Sequence, residues 1–500
     1  MTVLSLISAA LLAPLPAPPA SLPDHGIAVE GVTRYDADHL VHYAIQHIRE
    51  AGETLTDHHL VEAVEILYRE DGYFLAEATA YQRDGQWVLR VNEGRIDEIR
   101  IDGLDDDAAR AIAERFTPLV GIDAPKQQDF DRRFLLADDL AGIDLRASLQ
   151  HEGGDGAVLE LHGTQRGPTF LVSLDTINIA PGTGGRLVLD SAVTSLLSTG
   201  DQLQATAVGT LEPDDGVGLA GILRYLTPLG SSGTFLEARA GTAFGERDIG
   251  TIRVDSTLEG KQAAIGIGHA LVRKPGAFLM MIGEAEYRDA ESRLGSSDFQ
   301  SSSRALRAFL VGGHTADNGT FVEAELAASI GVSDDASLVA PGEDDAGFAH
   351  LNGVIGLALP LGGKSQVQVE LAGQLAFDDL PALERYYAGH QPSLRGYGLG
   401  EAVGDDAAIG ALSLDHLLED GSDAQLSVFT FLEAGAFRQR ANRLSAGDDY
   451  RLASTGAGVR AHISSGWGFE SWLAVPLADG PRSDAGNLAI YARISKAFTR

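Results

Sequence analysis

From residue 167 onward, apolar and polar positions alternate with a period of two. In Gln366–Phe377, Val367, Val369, Leu371, Leu375 and Phe377 fall on one side, and Gln366, Gln368, Glu370 and Gln374 on the other. Val322, Ala324, Leu326, Ala328 and Ile330 alternate with Glu323, Glu325 and Ser329; Leu236, Ala238 and Ala240 do so with Glu237 and Arg239. Turns rich in Gly, Asp and Pro separate the runs, as at Pro181–Gly185, Pro213–Gly216 and Asp317-Asn318-Gly319. A soluble sandwich alternates too. Length favours the barrel: residues 167–500 are 334 positions with no helix-periodic stretch able to cover a sheet. A membrane strand needs about 9–11 residues, so roughly 14 to 18 strands fit. Closure into a barrel satisfies every backbone group in lipid, which an open sheet cannot do. The final run, Leu488, Ile490, Ala492, Ile494 and Phe498, alternates almost to the terminus. It suits a strand recognised by barrel-assembly machinery and closing against the first.

The N-terminal third has a different grammar. Residues 27–96 read strand, helix, helix, strand, strand. Ile27–Val32 is a short strand broken by Gly31, and Leu40, Val41, Ala44, Ile45 and Ile48 form a helical stripe. Thr56 is placed to cap a second helix with inner face Leu60, Val64, Leu67 and Tyr68, stopped by Asp71-Gly72-Tyr73. Strands around Ala76–Tyr81 and Gln86–Val91 follow. Residues 97–166 repeat the order: Ile99–Leu104 with Gly103, helices marked by Ile112 and Phe116 and then by Phe130, Phe134 and Ala137, and strands Asp144–Leu149 and Val158–Leu161 around Gly153-Gly154. Each unit packs two helices on a small sheet and leaves an edge able to accept an extended peptide, or serves only as a spacer.

Composition narrows the function. A formal net charge of −33 argues against a nucleic-acid partner, since phosphate binding needs a basic footprint. With no cysteine, disulfides and thiolate metal sites are impossible. Residues 1–20 read as a secretory signal, almost wholly apolar from Val3 to Leu15 and closing on Pro18-Pro19-Ala20, with 21–26 as linker. No other stretch is apolar for long enough to form a membrane helix. Nucleophile-elbow, zinc-pair and EF-hand motifs are lacking, and Gly362-Gly363-Lys364-Ser365 reads as a hairpin turn because it leads into a strand. His58-His59 has no ligand spacing, and Asp405-Asp406 fits a loop. The expectation is no enzyme, no cofactor and no metal.

Two C-terminal stretches stand apart. Ser393-Leu394-Arg395-Gly396-Tyr397 places an arginine in a glycine-flanked loop, where it requires an acidic partner; Phe431-Leu432-Glu433-Ala434-Gly435 supplies one on a strand. Glu433 shares its face with Gln425 and Ser427 but also with Phe429 and Phe431, a mixed wall. These stretches resemble the Val/Leu-Arg-Gly-Tyr/Phe and Phe-x-Asp-x-Gly motifs of two-partner secretion transporters, the hemolysin secretion/activation proteins of the POTRA–β-barrel superfamily. Gly404-Asp405 follows at the family's distance. Tyr68, Gly72-Tyr73 and Leu89-Arg90-Val91-Asn92-Glu93-Gly94-Arg95-Ile96 are similar to that family's first polypeptide-transport-associated (POTRA) domain.

The resemblance implies two α+β POTRA domains, at 27–96 and 97–166, followed by a transmembrane antiparallel β-barrel of about sixteen strands at 167–500. It implies a bacterial outer-membrane location with the POTRA domains in the periplasm. Arg395 would lie at the tip of a loop folded into the lumen, in a bidentate contact with Glu433. Gly396 would turn the tip and Tyr397 would pack on the wall. Three departures qualify this: Glu433 replaces an aspartate, His390 stands where a second glycine is common, and the short linker leaves no room for the plug helix of many relatives. Closure would then rest on the loop alone. The implied partner is an unfolded, β-rich exoprotein; the rival readings are an outer-membrane assembly factor and a passive pore.

Overall fold

A computed structural model of the chain describes residues 26–151, 156–179, 182–212, 216–249, 254–335, 346–388, 394–440 and 447–499. The expected signal and most of its linker, Gly153-Gly154, Pro181, Pro213, His390 and Ser393 lie outside them. The chain forms two compact units, the first comprising Met1–Glu98 with Leu119–Gln127 and His151–Val158, the second the remainder.

The first unit begins with β1 (Ile27–Glu30), α1 (Ala37–Glu50), α2 (Asp57–Glu70), β2 (Glu77–Arg83) and β3 (Gln86–Asn92). Local chemistry fixes the helix ends. The Asp36 carboxylate accepts from the amides of Asp38 and His39, and the Thr56 hydroxyl from that of His59. At the end of α2 the Tyr73 amide donates to Tyr68 O and the Gly72 amide to Arg69 O, with Gly72 at φ +84°. This is a Schellman stop, which explains why glycine follows Asp71. Leu40, Ala44, Ile48, Leu60, Val64, Leu67 and Tyr68 pack over the sheet, whose order is β1-β3-β2 with β1 parallel to β3.

The second module repeats the order with β4 (Ile96–Asp102), α3 (Asp106–Phe116), α4 (Gln127–Asp138), β5 (Ile143–His151) and β6 (Ala157–Gln165), in a sheet ordered β4-β6-β5. The duplication extends to backbone detail. Gly31 and Gly103 both have left-handed φ, and a Cβ at either would strike a neighbouring carbonyl, 2.1 Å from Val91 O and 2.2 Å from Gly163 O. Those two carbonyls are offset by the same number of residues as the two glycines. Only glycine permits such an approach.

Sixteen antiparallel strands then close into a barrel. The first eight are β7 (Thr169–Ile179), β8 (Gly182–Thr194), β9 (Gln202–Leu211), β10 (Val217–Leu229), β11 (Thr234–Ile249), β12 (Val254–Lys274), β13 (Ala277–Leu294) and β14 (Ser297–Thr315). Then come β15 (Phe321–Asp335), β16 (Ala346–Gly362) and β17 (Ser365–Ala376). A loop carrying the two-residue pair β18 (Tyr386–Tyr387) and β19 (Val403–Gly404) separates these from β20 (Asp406–Asp420). Last are β21 (Ala424–Gln439), β22 (Asp448–Ile463), β23 (Trp467–Pro476) and β24 (Ala489–Thr499), and β24 pairs with β7. The expected hairpin at Gly363-Lys364 joins β16 to β17.

Alternation sorts the side chains as the sequence pattern requires. Leu326, Ile330, Leu371, Leu375, Leu432, Ile490 and Ile494 are exposed on the outside, as a lipid-facing band must be. Inside, arginines meet carboxylates: Arg186 with Asp175 at 2.8 Å, Arg224 with Glu237 at 2.7 Å and Arg239 with Glu284 at 2.7 Å. Within the second unit, Arg132 on α4 donates to Ala270 O at 2.7 Å, Arg115 on α3 to Gly230 O at 3.2 Å, and Arg273 pairs with Asp139 at 2.7 Å. Helices α3 and α4 are thus seated on the short hairpin turns at one end of the barrel. The loop between β17 and β20 belongs to the other end.

Candidate functional site in the barrel lumen

That loop turns back inside the barrel. Its tip is built by two left-handed residues that flank the motif arginine: Leu394 at φ +57° and Gly396 at +100°. Only the glycine was expected; Leu394 tolerates the conformation because its side chain is fully buried with Ala407, Ile409, Phe437 and Leu452. A Cβ on Gly396 would lie 3.3 Å from Pro476 and 3.4 Å from Ala474, so the backbone itself lies against β23.

Arg395 meets Glu433 as the motifs suggest, but in a different geometry. Its Nε donates to Glu433 Oε1 at 2.7 Å, and its backbone amide to Oε2 at 2.5 Å. Ser454 Oγ adds a bond to Oε2 at 3.2 Å. One carboxylate therefore spans the side chain and the main chain of one arginine, in place of the expected two-nitrogen fork. The reason lies in the mixed wall. The guanidinium carbon lies 3.7 Å from the ring centroid of Phe431 and 5.7 Å from that of Phe429, so its face is turned onto aromatic carbon. Glu433 is 0 % exposed and Arg395 9 %. Stripping one partner from a buried pair typically costs about 3–5 kcal/mol.

The rest of the motif locks the tip. The Tyr397 hydroxyl stands 2.8 Å from the carbonyl oxygens of both Ala453 and Ala478. A Cβ on Gly435 would come within 3.0 Å of Leu394 and 2.9 Å of Phe437, so this glycine makes room both for the loop and for the ring of its own strand. Asp405 closes the loop's root, accepting from the amides of Leu380 at 3.1 Å and Arg440 at 2.7 Å.

In the first unit, the residues that carry the POTRA resemblance gather round Glu93, which is 7 % exposed. Its carboxylate accepts from the amides of Thr33 and Arg34 at 2.8 Å each, from the Thr33 hydroxyl, and from the Tyr68 hydroxyl at 2.8 Å. Burial pushes this carboxyl up, but those bonds outweigh it and hold it below the ordinary carboxylate range. Burial, and then the bond to Glu93, pushes the Tyr68 hydroxyl up. Gly94, at φ +75°, has Leu75 where a Cβ would be, and Arg95 pairs with Asp97 at 2.5 Å. Gly72 and Tyr73 form the helix stop, and the Tyr73 ring lies 5.8 Å from that of Tyr68. These residues hold the unit's own architecture together. Among the described residues no group of His, Asp and Glu is arranged to hold a metal ion.

The model of the haemolysin secretion/activation protein family ShlB/FhaC/HecB matches residues 184–461, more than half of the sequence. The chain belongs to that family. It is accordingly an outer-membrane transporter of two-partner secretion, and the family is one of transporters, not of enzymes. Solved structures of similar fold include CdiB from Escherichia coli, with 16 % identity and a TM-score of 0.72 over 94 % of this chain and 90 % of that one. CdiB from Acinetobacter baumannii gives 14 % and 0.68 over 94 % and 89 %. BamA from Haemophilus ducreyi lacking POTRA domains 1-3 gives 14 % and 0.55 over 94 % and 100 %. No curated protein matches in sequence. The two α+β modules of this family member are POTRA folds, and its barrel has the sixteen strands expected.

Sequence reasoning reached Leu394, Arg395, Gly396, Tyr397, Phe431, Glu433 and Gly435, and it placed Phe429 and Phe431 on the face of Glu433 without foreseeing that the guanidinium turns onto their rings. It missed Ser454 as the third donor to Glu433. Only strand register could reveal Ser454, which pairs directly with Glu433 across β21 and β22.

Proposed function

We propose that this transporter exports an unfolded, β-rich exoprotein through its lumen, with the loop between β17 and β20 as a removable gate. Residues 27–96 and 97–166 act as periplasmic POTRA domains. The exoprotein's N-terminal segment adds to their sheets through main-chain hydrogen bonds; β1 and β2 in one sheet and β4 and β5 in the other lie at edges suited to this. The chain then passes through the lumen in extended form. No nucleotide enters the mechanism, and folding outside gives direction because folded product cannot re-enter. Barrel-assembly machinery inserts the protein, engaging β24.

One observation carries this reading: Arg395 and Glu433 are a buried ion pair between loop and wall, not within the wall. An ion pair that only stabilised the barrel would link strands, as Arg186 and Asp175 do across β7 and β8. A contact holding a loop inside the conduit is one that transport must break.

The test is export of the cognate exoprotein by Arg395→Ala and Glu433→Ala variants, alongside heat-modifiable migration of the barrel. Secretion should fall at least tenfold while the barrel stays inserted and folded. Wild-type export by both variants would remove the pair from the mechanism.

A further inference from the structure

The inserted loop is held at a second place that no motif marks. Glu384, on the single helical turn Ala382–Glu384 of the loop's first limb, is 4 % exposed. Its carboxylate accepts from Arg307 Nη2 at 2.8 and 2.9 Å and from Ser303 Oγ at 2.7 Å, and lies 3.2 Å from His350 Nε2. Arg307, also buried, on β14, is oriented by Glu286 at 2.7 Å and by Ser329 Oγ at 2.7 Å. The limb's main chain is also gripped: Arg288 donates to Leu383 O and Gln374 to Glu384 O, each at 3.1 Å. Leu380 packs with Ala305, Phe348 and Ala376 of the wall.

The polarity is the reverse of the motif pair. At the tip the loop supplies the cation and the wall the carboxylate; at Glu384 the loop supplies the carboxylate and the wall the cation. The two sites also flank the loop's root. It springs from between β17 and β20, while Arg307 and its supports lie on β13 to β16 and Glu433 and Ser454 on β21 and β22. A loop tied only through Arg395 could pivot about that point. One tied on both sides of its root cannot.

We propose that Glu384 is a second latch, a positioning residue that fixes the first limb of the gate through Arg307, so that the lumen opens only when both ion pairs release. This rests on the reading of the loop as the gate, but its test needs no exoprotein and so can fail or succeed separately from export. The chain has no cysteine, so an introduced one is the sole thiol. Ala376→Cys lies beneath the first limb beside Leu380; Ala474→Cys lies beneath the tip beside Gly396. Both alanines are buried.

The experiment measures the rate at which a hydrophilic maleimide alkylates each thiol in the full chain, in detergent and in native outer membranes. Glu384→Gln should raise labelling of Ala376→Cys at least tenfold and leave Ala474→Cys protected. Arg395→Ala should do the converse. In planar bilayers the Glu384→Gln/Arg395→Ala double variant should conduct more than either single one. Protection of Ala376→Cys unchanged by Glu384→Gln, or both thiols exposed together by it, overturns the proposal. So does a conductance already at the double variant's level with Arg395→Ala alone.

Discussion

Arg395 lays its guanidinium on the ring of Phe431, two positions before the glutamate it pairs with on the same strand. Residues two apart on a strand share a face, so one segment of β21 offers the arginine both a carboxylate and an aromatic surface. Phe431 in turn meets Trp472 edge-on, with centroids 6.2 Å apart, and Trp472 stacks on Tyr491 at 4.9 Å. The Tyr491 hydroxyl donates to Asp175 at 3.2 Å, across the pairing of β24 with β7 that closes the barrel. The lumen face beneath the loop tip is an aromatic ladder, and Arg395 occupies its end.

The stacking should carry energy of its own. Phe431→Leu keeps an apolar wall and the Glu433 carboxylate but loses the ring face, a change of about 0.5–2 kcal/mol for a cation over an aromatic ring. The expected result is a several-fold rise in open-state frequency in planar bilayers, smaller than that of Arg395→Ala. An open frequency equal to that of the unaltered protein would show that the ring is only filler.

Gly435 should be intolerant because the loop's Leu394 and the Phe437 ring of its own strand both lie where a side chain would go. Gly435→Val places carbon where Leu394 and Phe437 already lie, and overpacking of this kind costs about 1–3 kcal/mol. Gly356 on β16 is the control, since nothing lies within 4 Å of a Cβ there. We expect Gly435→Val to raise conductance and reduce export, with Gly356→Ala behaving as the parent. Equal effects from the two would mean that the loop tip does not press on Gly435.

Glu93 predicts how the first POTRA domain responds to acid. Its folded carboxyl lies below the ordinary range, so the domain binds fewer protons there than when unfolded. The associated stability is complete above the ordinary carboxylate pKa and is lost as pH falls through the lowered folded value. Amide hydrogen exchange of α2 and β3 in the full chain should therefore accelerate only on acidification below the ordinary range. Glu93→Gln should weaken protection at neutral pH and flatten that acid dependence. An unchanged pH profile in Glu93→Gln would place the acid response elsewhere.

Much of the architecture was legible in the chain because it follows from local periodicity. A period of two with lipid on one side requires Leu371 and Leu375 to face out and Glu370 and Gln374 to face in, whatever the neighbouring strands are. Thr56, Gly72 and Gly31 could be read singly, since a cap, a helix stop and a left-handed turn each depend on a few adjacent residues. The pairing of Arg395 with Glu433 came from motif resemblance, and its aromatic surface was visible only as an apparent flaw in the wall.

What the sequence determined by itself was the order of elements, the duplicated module, the face each barrel residue takes and the arginine's need for an acid. Tertiary structure alone decided which strand lies beside which limb of the inserted loop, and hence that Ser454 joins Glu433 and that Arg307, 77 positions upstream, receives Glu384. Side-chain direction is set by neighbours along the chain. Partnership inside a closed cylinder is set by register and by the path of a loop, and distant segments come together there with no periodic trace in the sequence.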